Sequence, residues 1–116
     1  MGARRTPEKD FQDTVLQWAK LFHWRAFYIP DWMYRLAMAS MLRQRKADRP
    51  WPDPGFPDLV LLKVPDLIFA ELKSGSNKPT DKQDAWHEDL RACGLRVYVW
   101  RESDIDEIIQ ILARTK

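Results

Sequence analysis

Asp58, Glu71 and Lys73 are the residues of this 116-residue chain whose types and spacing suit them to act together on a substrate. They lie in the stretch GFPDLVLLKVPDLIFAELKSG, from Gly55 to Gly75. Side chains on a strand alternate between faces. In LIFAELK, Leu67, Phe69, Glu71 and Lys73 therefore share one face, and Ile68, Ala70 and Leu72 share the other. Glu71 and Lys73 project the same way from an otherwise apolar strand, and burying them without partners would be costly. If Asp58 lies on the adjoining strand, its carboxylate converges on Glu71. Two close carboxylates repel unless they share a proton or a cation. A hard divalent cation suits oxygen ligands, and Mg²⁺ or Mn²⁺ fits the set. Such an ion can hold a phosphate oxygen and acidify a bound water. A lysine alongside can orient that water or stabilise charge that develops on the phosphate. These are the parts of a phosphodiesterase centre. The plainer alternative is a surface strand with a Glu/Lys pair and a turn aspartate. A lone Glu-x-Lys is common by chance. Pro-Asp, two strands and Glu-x-Lys with a hairpin between them is much less common.

The rest of the chain must hold these side chains in place. Thr6-Pro7-Glu8 has the marks of a helix start: a capping hydroxyl, a proline at the first helical position and an acid in the first turn. Phe11, Val15, Trp18, Ala19 and Phe22 follow at helical spacing, and Glu8 falls on their face. The run from Trp24 to Ile29 predicts a short strand, and a helix is expected from Trp32 to about Lys46, with Met33, Leu36, Ala37, Met41 and Leu42 on a rough stripe. The basic, proline-rich RQRKADRPWPDP that follows predicts an exposed loop. Asp58 to Lys63 and Leu67 to Lys73 predict two strands joined by a tight turn at Val64-Pro65-Asp66. Thr80-Asp81-Lys82-Gln83 matches a capping box, opening a helix with Trp86, Leu90 and Cys93 inward and Gly94 at its end. Leu95 to Trp100 predicts a further strand, and Ser103 caps a last helix with Ile105, Ile108, Ile109 and Leu112 on one face. The order is one α/β domain over 1–116, a mixed sheet flanked by helices, with an inserted basic and aromatic segment at about 31–54.

Pro57-Asp58 and Glu71-Leu72-Lys73 resemble the PD-(D/E)xK nuclease signature. The surrounding wording resembles the small stand-alone VRR-NUC domains of phages and bacteria: TPEKDFQDTVLQWAKLFHW, GFPDLV, IFAELKSG and TDKQDAWHEDLRACGLRVYVWR. The resemblance covers nearly the whole chain except about 31–54. It implies a restriction-endonuclease-like core. It also implies that Asp58 and Glu71 bind Mg²⁺ or Mn²⁺ with the Leu72 backbone carbonyl, that Lys73 is the catalytic lysine, and that Gln83 is the glutamine opening the next helix. Glu8 matches the acid of the first helix and is a further candidate metal ligand. Asp10 rivals it from the same turn, and Gln12, one turn beyond, is placed to support Glu8. The capping box accounts for Gln83 without catalysis, and the two readings are compatible.

The activity that the resemblance implies is Holliday-junction resolution by a homodimer, since symmetric cleavage of a four-way junction needs two active sites. Less selective cleavage of flaps, ends or single strands is an alternative, and so is a non-catalytic DNA-binding module of the same fold. For DNA contacts the candidates are Arg43, Arg45, Lys46 and Arg49, with Lys78 and Lys82 flanking the loop after Glu-x-Lys. Trp32, Tyr34 and Trp51 are candidates for stacking on an unpaired base. The same segment would also suit a dimer contact. His23 sits at a helix end, where a cation is favourable. His87 is expected at the surface, and Arg101 at a solvated strand end.

Composition sets the outer limits. A net charge of +2 and a sequence pI near 8.8 are mildly basic and do not by themselves identify a nucleic-acid binder. A lone cysteine, Cys93, rules out an internal disulfide and a cysteine-rich zinc cluster. No apolar run approaches the roughly 18 residues of a membrane span. A cytoplasmic location in a bacterial cell, with a phage source as one option, is the expectation.

Overall fold

A computed structural model of the chain describes residues 7–29, 33, 35–37, 39–40 and 55–114. Among them, helix α1 (Pro7–Leu21) leads into strand β1 (Arg25–Phe27). Strands β2 (Leu59–Lys63) and β3 (Asp66–Leu72) follow, then helix α2 (Asp81–Ala92), strand β4 (Arg96–Trp100) and helix α3 (Ile105–Arg114). Residues 33, 35–37 and 39–40 are also helical, within the span where the stripe predicts a helix. Met33 and Leu36 are exposed there and Ala37 is half-buried. Trp32, Tyr34, Met41, Leu42, Arg43, Arg45, Lys46, Arg49 and Trp51 lie outside the described residues.

The sheet has the order β1-β2-β3-β4. The first three strands are antiparallel and β3 pairs with β4 in parallel, so the sheet is mixed, as expected. The parallel pair requires a crossover, and α2 supplies it. Strand alternation then sorts the sheet into two faces. Leu59, Leu61, Ile68, Ala70, Leu72 and Trp100 pack with Phe11, Val15 and Ala19 of α1 and with Ile108, Ile111 and Leu112 of α3. Phe69, Glu71 and Val97 point to the opposite face, where Phe56 meets Phe69 edge to face at 6.0 Å and Trp86 of α2 at 5.0 Å. Glu71 therefore belongs to the α2 face, away from the larger core.

The helix ends are set by local chemistry. Leaving α1, the Trp24 N–H donates to the Ala19 carbonyl and the His23 N–H to that of Lys20, with His23 at φ 70°. This is a Schellman end with histidine in the left-handed position that glycine usually takes. At the end of α2 the same pattern recurs around Gly94, at φ 82°, with Leu95 N–H donating to Leu90 and Gly94 N–H to Arg91.

Several elements differ from expectation. Strand β1 has three residues, because Trp24 turns inward and its Nε1–H donates to the Leu112 carbonyl at 3.0 Å in the buried interior. Ser103 does not cap α3. It lies inside a one-turn 3₁₀ segment (Glu102–Asp104), and Asp104 Oδ2 accepts the Arg101 N–H at 2.9 Å. Cys93 is exposed at the end of α2 instead of facing inward. Among the described residues no helix is long and apolar enough to cross a membrane.

Candidate active site

Glu71 sits on β3 between β2 and β4, paired with Val99 on the β4 side. Continuing the β2–β3 register one step past Leu59↔Ala70 sets Asp58 opposite Glu71. Asp58 lies just before β2, where its Oδ2 accepts the Leu72 N–H at 2.8 Å. That bond ties the aspartate to the strand that carries the glutamate, so the sheet itself holds the two carboxyls together.

Lys73 follows two residues on, with its backbone N–H donating to the Trp100 carbonyl at 2.9 Å. Its Nζ lies 4.0 Å from Glu71 Oε2, which confirms the shared face inferred from strand alternation. Gln83 reaches the same oxygen from α2, with Nε2 donating at 3.0 Å. The other end of the Gln83 amide closes the capping box: Oε1 accepts the Thr80 N–H at 2.8 Å, and the Gln83 N–H donates to Thr80 Oγ1 at 3.2 Å. The two readings of Gln83 are one arrangement. An amide whose oxygen is taken by a backbone donor has only its nitrogen left for the carboxylate.

Glu71 is 1 % exposed. Its carboxyl is raised to about 9: burial is the largest cause, the hydrogen bond and charge of Asp58 and the charge of Glu8 add to it, and Lys73 partly offsets it. Glu71 thus holds its proton at neutral pH when no cation is bound. Glu8 lies on an exposed turn of α1, and its charge adds to the rise at Glu71. Gln12 is half-buried one turn further along α1. Lys78 and Lys82 are exposed around the loop that leaves β3. Arg101 holds that loop in place: its Nη1 donates to the carbonyls of Gly75 at 3.1 Å and Asn77 at 2.5 Å. Arg101 thus stays partly exposed at the end of β4 and adds these loop contacts, which the expectation of a solvated strand end did not include.

The larger correction concerns His87. It is 2 % exposed, and its Nε2 lies 3.5 Å from Glu71 Oε1. Burial and Arg91 lower its pKa, which keeps the ring neutral. Gln83, Trp86, His87 and Leu90 are the inward stripe of α2, at spacings of three and four residues. The signal was present in the sequence: His87 stands one helical turn after Gln83. Exposed His23 lies away from this face, at the end of α1.

The donor set can be tested against a divalent ion. Glu71 Oε1 is buried without a hydrogen-bond partner, and a carboxyl that keeps its proton this far above its usual range is one whose charge a cation would offset. Among the described residues no group of three or more His, Cys, Asp or Glu side chains could hold a metal. That disfavours a closed zinc site. It is compatible with Mg²⁺ or Mn²⁺, which binds through one or two carboxylates and takes its remaining oxygens from water and phosphate.

No family model matches the chain, and no curated protein does. Among solved structures, a VRR_NUC domain protein superposes with a TM-score of 0.63, covering 97 % of this chain and 89 % of that one at 18 % sequence identity. The chain shares the fold of that VRR_NUC domain protein. At this identity the likeness is one of architecture: a mixed four-stranded sheet flanked by helices. It agrees with the fold that the Pro-Asp and Glu-x-Lys motifs imply.

Proposed function

We propose that the chain is a metal-dependent, structure-selective DNA endonuclease that hydrolyses phosphodiester bonds, with four-way junctions as its substrate and a homodimer as its working form. The observation that carries the reading is the opposition of Asp58 and Glu71 across β2 and β3, with Glu71 raised to about 9 by burial and by its neighbour. A pair arranged this way favours a cation. Asp58, Glu71 and the Leu72 carbonyl would hold Mg²⁺ or Mn²⁺, with Glu8 at the edge of the site. When bound, the ion supplies Lewis acidity toward a phosphate oxygen and a water of lowered pKa.

The chain's own residues do the rest. Lys73, beside Glu71, places a positive charge where negative charge grows on the reacting phosphate. Gln83 holds one oxygen of the Glu71 carboxylate. Lys78 and Lys82 border the site, and Arg43, Arg45, Lys46 and Arg49 add basic charge in sequence, all suited to phosphates. The fold shared with a VRR_NUC domain protein supports the reading.

The test is a substrate panel. Labelled four-way junction, flap, single strand and linear duplex are incubated with the protein in Mg²⁺, Mn²⁺ or EDTA. Paired, symmetric nicks on the junction that require metal are the expected result. Equal cutting of every substrate would leave a nuclease and remove the junction assignment. Binding without cutting in either metal would point to a DNA-binding module.

A further inference from the structure

His87 has no part in the proposed reaction, yet it is buried against the residue at its centre. A polar side chain this deeply buried nearly always has a hydrogen-bond partner. Here His87 Nε2 and Glu71 Oε1 are both buried and both lack one by ordinary geometry, and they face each other at 3.5 Å. Each is the nearest candidate to satisfy the other. Their separation exceeds a good N–H···O distance by about half an ångström.

The placement on α2 adds an independent argument. Gln83 and His87 are four residues apart on its inner face, so they project from consecutive turns onto one carboxylate. Gln83 Nε2 takes Oε2, and His87 Nε2 addresses Oε1. A carboxylate held at one oxygen can still swing about its Cγ–Cδ bond, whereas one held at both cannot. The same residues give α2 a reason to be anchored: Thr80 caps its start through Gln83, and Phe56 wedges Trp86 against the sheet.

We propose that His87 is a positioning residue for Glu71, donating through Nε2–H to Oε1 and so orienting the carboxylate for a divalent cation. The inference rests on the metal-dependent reading above and adds to it a requirement on α2. A buried imidazole that merely filled space would be replaceable by any apolar side chain of similar volume. A positioning imidazole would be replaceable only by a side chain with a nitrogen donor in the same place.

The experiment is Mn²⁺ titration of the purified full chain, following free Mn²⁺ by electron paramagnetic resonance. It compares wild type, Asp58→Asn, His87→Leu and His87→Gln, with a thermal melt of each. Outer partners of metal ligands typically carry about ten- to a hundredfold in affinity. His87→Leu should weaken Mn²⁺ binding by that factor while remaining folded, and His87→Gln should restore it to within a few-fold of wild type. Wild type binding Mn²⁺, with Asp58→Asn failing to bind and His87→Leu binding like wild type, would overturn the role of His87 alone. Loss of binding in His87→Leu without rescue by His87→Gln would also overturn it, in favour of a packing role. If His87→Leu does not fold, the decision passes to His87→Gln: affinity near wild type supports the proposal, and a tenfold loss contradicts it. Wild type that binds no Mn²⁺ would overturn both the positioning role and the metal-dependent reading.

Discussion

Gln83 donates to Glu71 Oε2 at 3.0 Å while the same amide accepts the Thr80 N–H at 2.8 Å. One side chain thus starts a helix and orients a buried carboxyl, and the two roles are separable by substitution. Gln83→Glu keeps an acceptor for Thr80 and replaces the donor at Glu71 with a second carboxylate. The two facing carboxyls should lower its melt, and it should lose at least about tenfold in cleavage rate, the low end of the range for an outer partner of a metal ligand. Gln83→Ala removes both bonds, and the lost cap should lower stability by about 1 kcal/mol. Melting curves and cleavage rates on the two variants check this. Equal activity of Gln83→Glu and wild type would contradict it.

Glu71 fixes a pH dependence whose sign follows from linkage. Its folded pKa is raised to about 9 from 4.5, so between those values the folded protein holds a proton that the unfolded chain has released. The contribution to stability is complete below about pH 4.5 and is lost as pH rises toward 9. In EDTA, the stability of wild type relative to Glu71→Gln should therefore fall steadily from pH 5 to pH 9, by urea denaturation at each pH. A relative stability that rises with pH would contradict the burial account. Mn²⁺ competes for the same group, so its apparent affinity should grow over that range.

Gly55 has φ +104° and packs against the start of α2, where an added Cβ would lie 2.6 Å from the Lys82 carbonyl carbon and oxygen and 2.9 Å from the Gln83 nitrogen. All three are backbone atoms, so the helix start must shift. Gly55→Ala should cost about 1–3 kcal/mol from backbone strain alone. It should also reduce cleavage, because the displaced residue is Gln83. A melt within a degree of wild type would show that the turn relaxes.

Lys73 lies 4.0 Å from Glu71, and its role can be separated from that of the carboxyls. Lys73→Met keeps the aliphatic stem and removes the charge. Loss of one preorganised electrostatic group typically costs about a hundred- to a thousandfold in rate. Mn²⁺ binding should persist, since Asp58 and Glu71 remain. Rates and Mn²⁺ titration on one preparation check both halves. A variant that neither cuts nor binds metal would contradict the division of labour.

What was legible in the sequence follows a physical rule. Asp58, Glu71 and Lys73 were readable because strand alternation is rigid: once β3 was placed, Glu71 and Lys73 had to share a face. The capping box at Thr80 and Gln83 and the left-handed Gly94 are local patterns, and local patterns survive without tertiary knowledge. His87 was misplaced because apolar periodicity is blind to a polar residue on the inner face. Trp86, Leu90 and Cys93 looked like the stripe, whereas Gln83, Trp86, His87 and Leu90 form it. Arg101 was missed for another reason: its partners, Gly75 and Asn77, lie some 25 residues earlier, and no local signal announces so distant a contact. Ser103 lost the cap to Asp104, whose side chain reaches back three residues to Arg101.

The most direct test of the account is the cleavage rate of wild type and Glu71→Gln on labelled four-way junction, each in Mg²⁺ and in EDTA. Gln is close in shape to the protonated glutamic acid that the metal-free protein holds, so the variant should fold. Wild type should cut in Mg²⁺ and not in EDTA, and Glu71→Gln should be slower by at least about a hundredfold, the scale of losing a group that acts in the transition state. A Glu71→Gln protein that cuts at the wild-type rate, or a wild type indifferent to EDTA, would contradict the metal-dependent centre at Asp58 and Glu71.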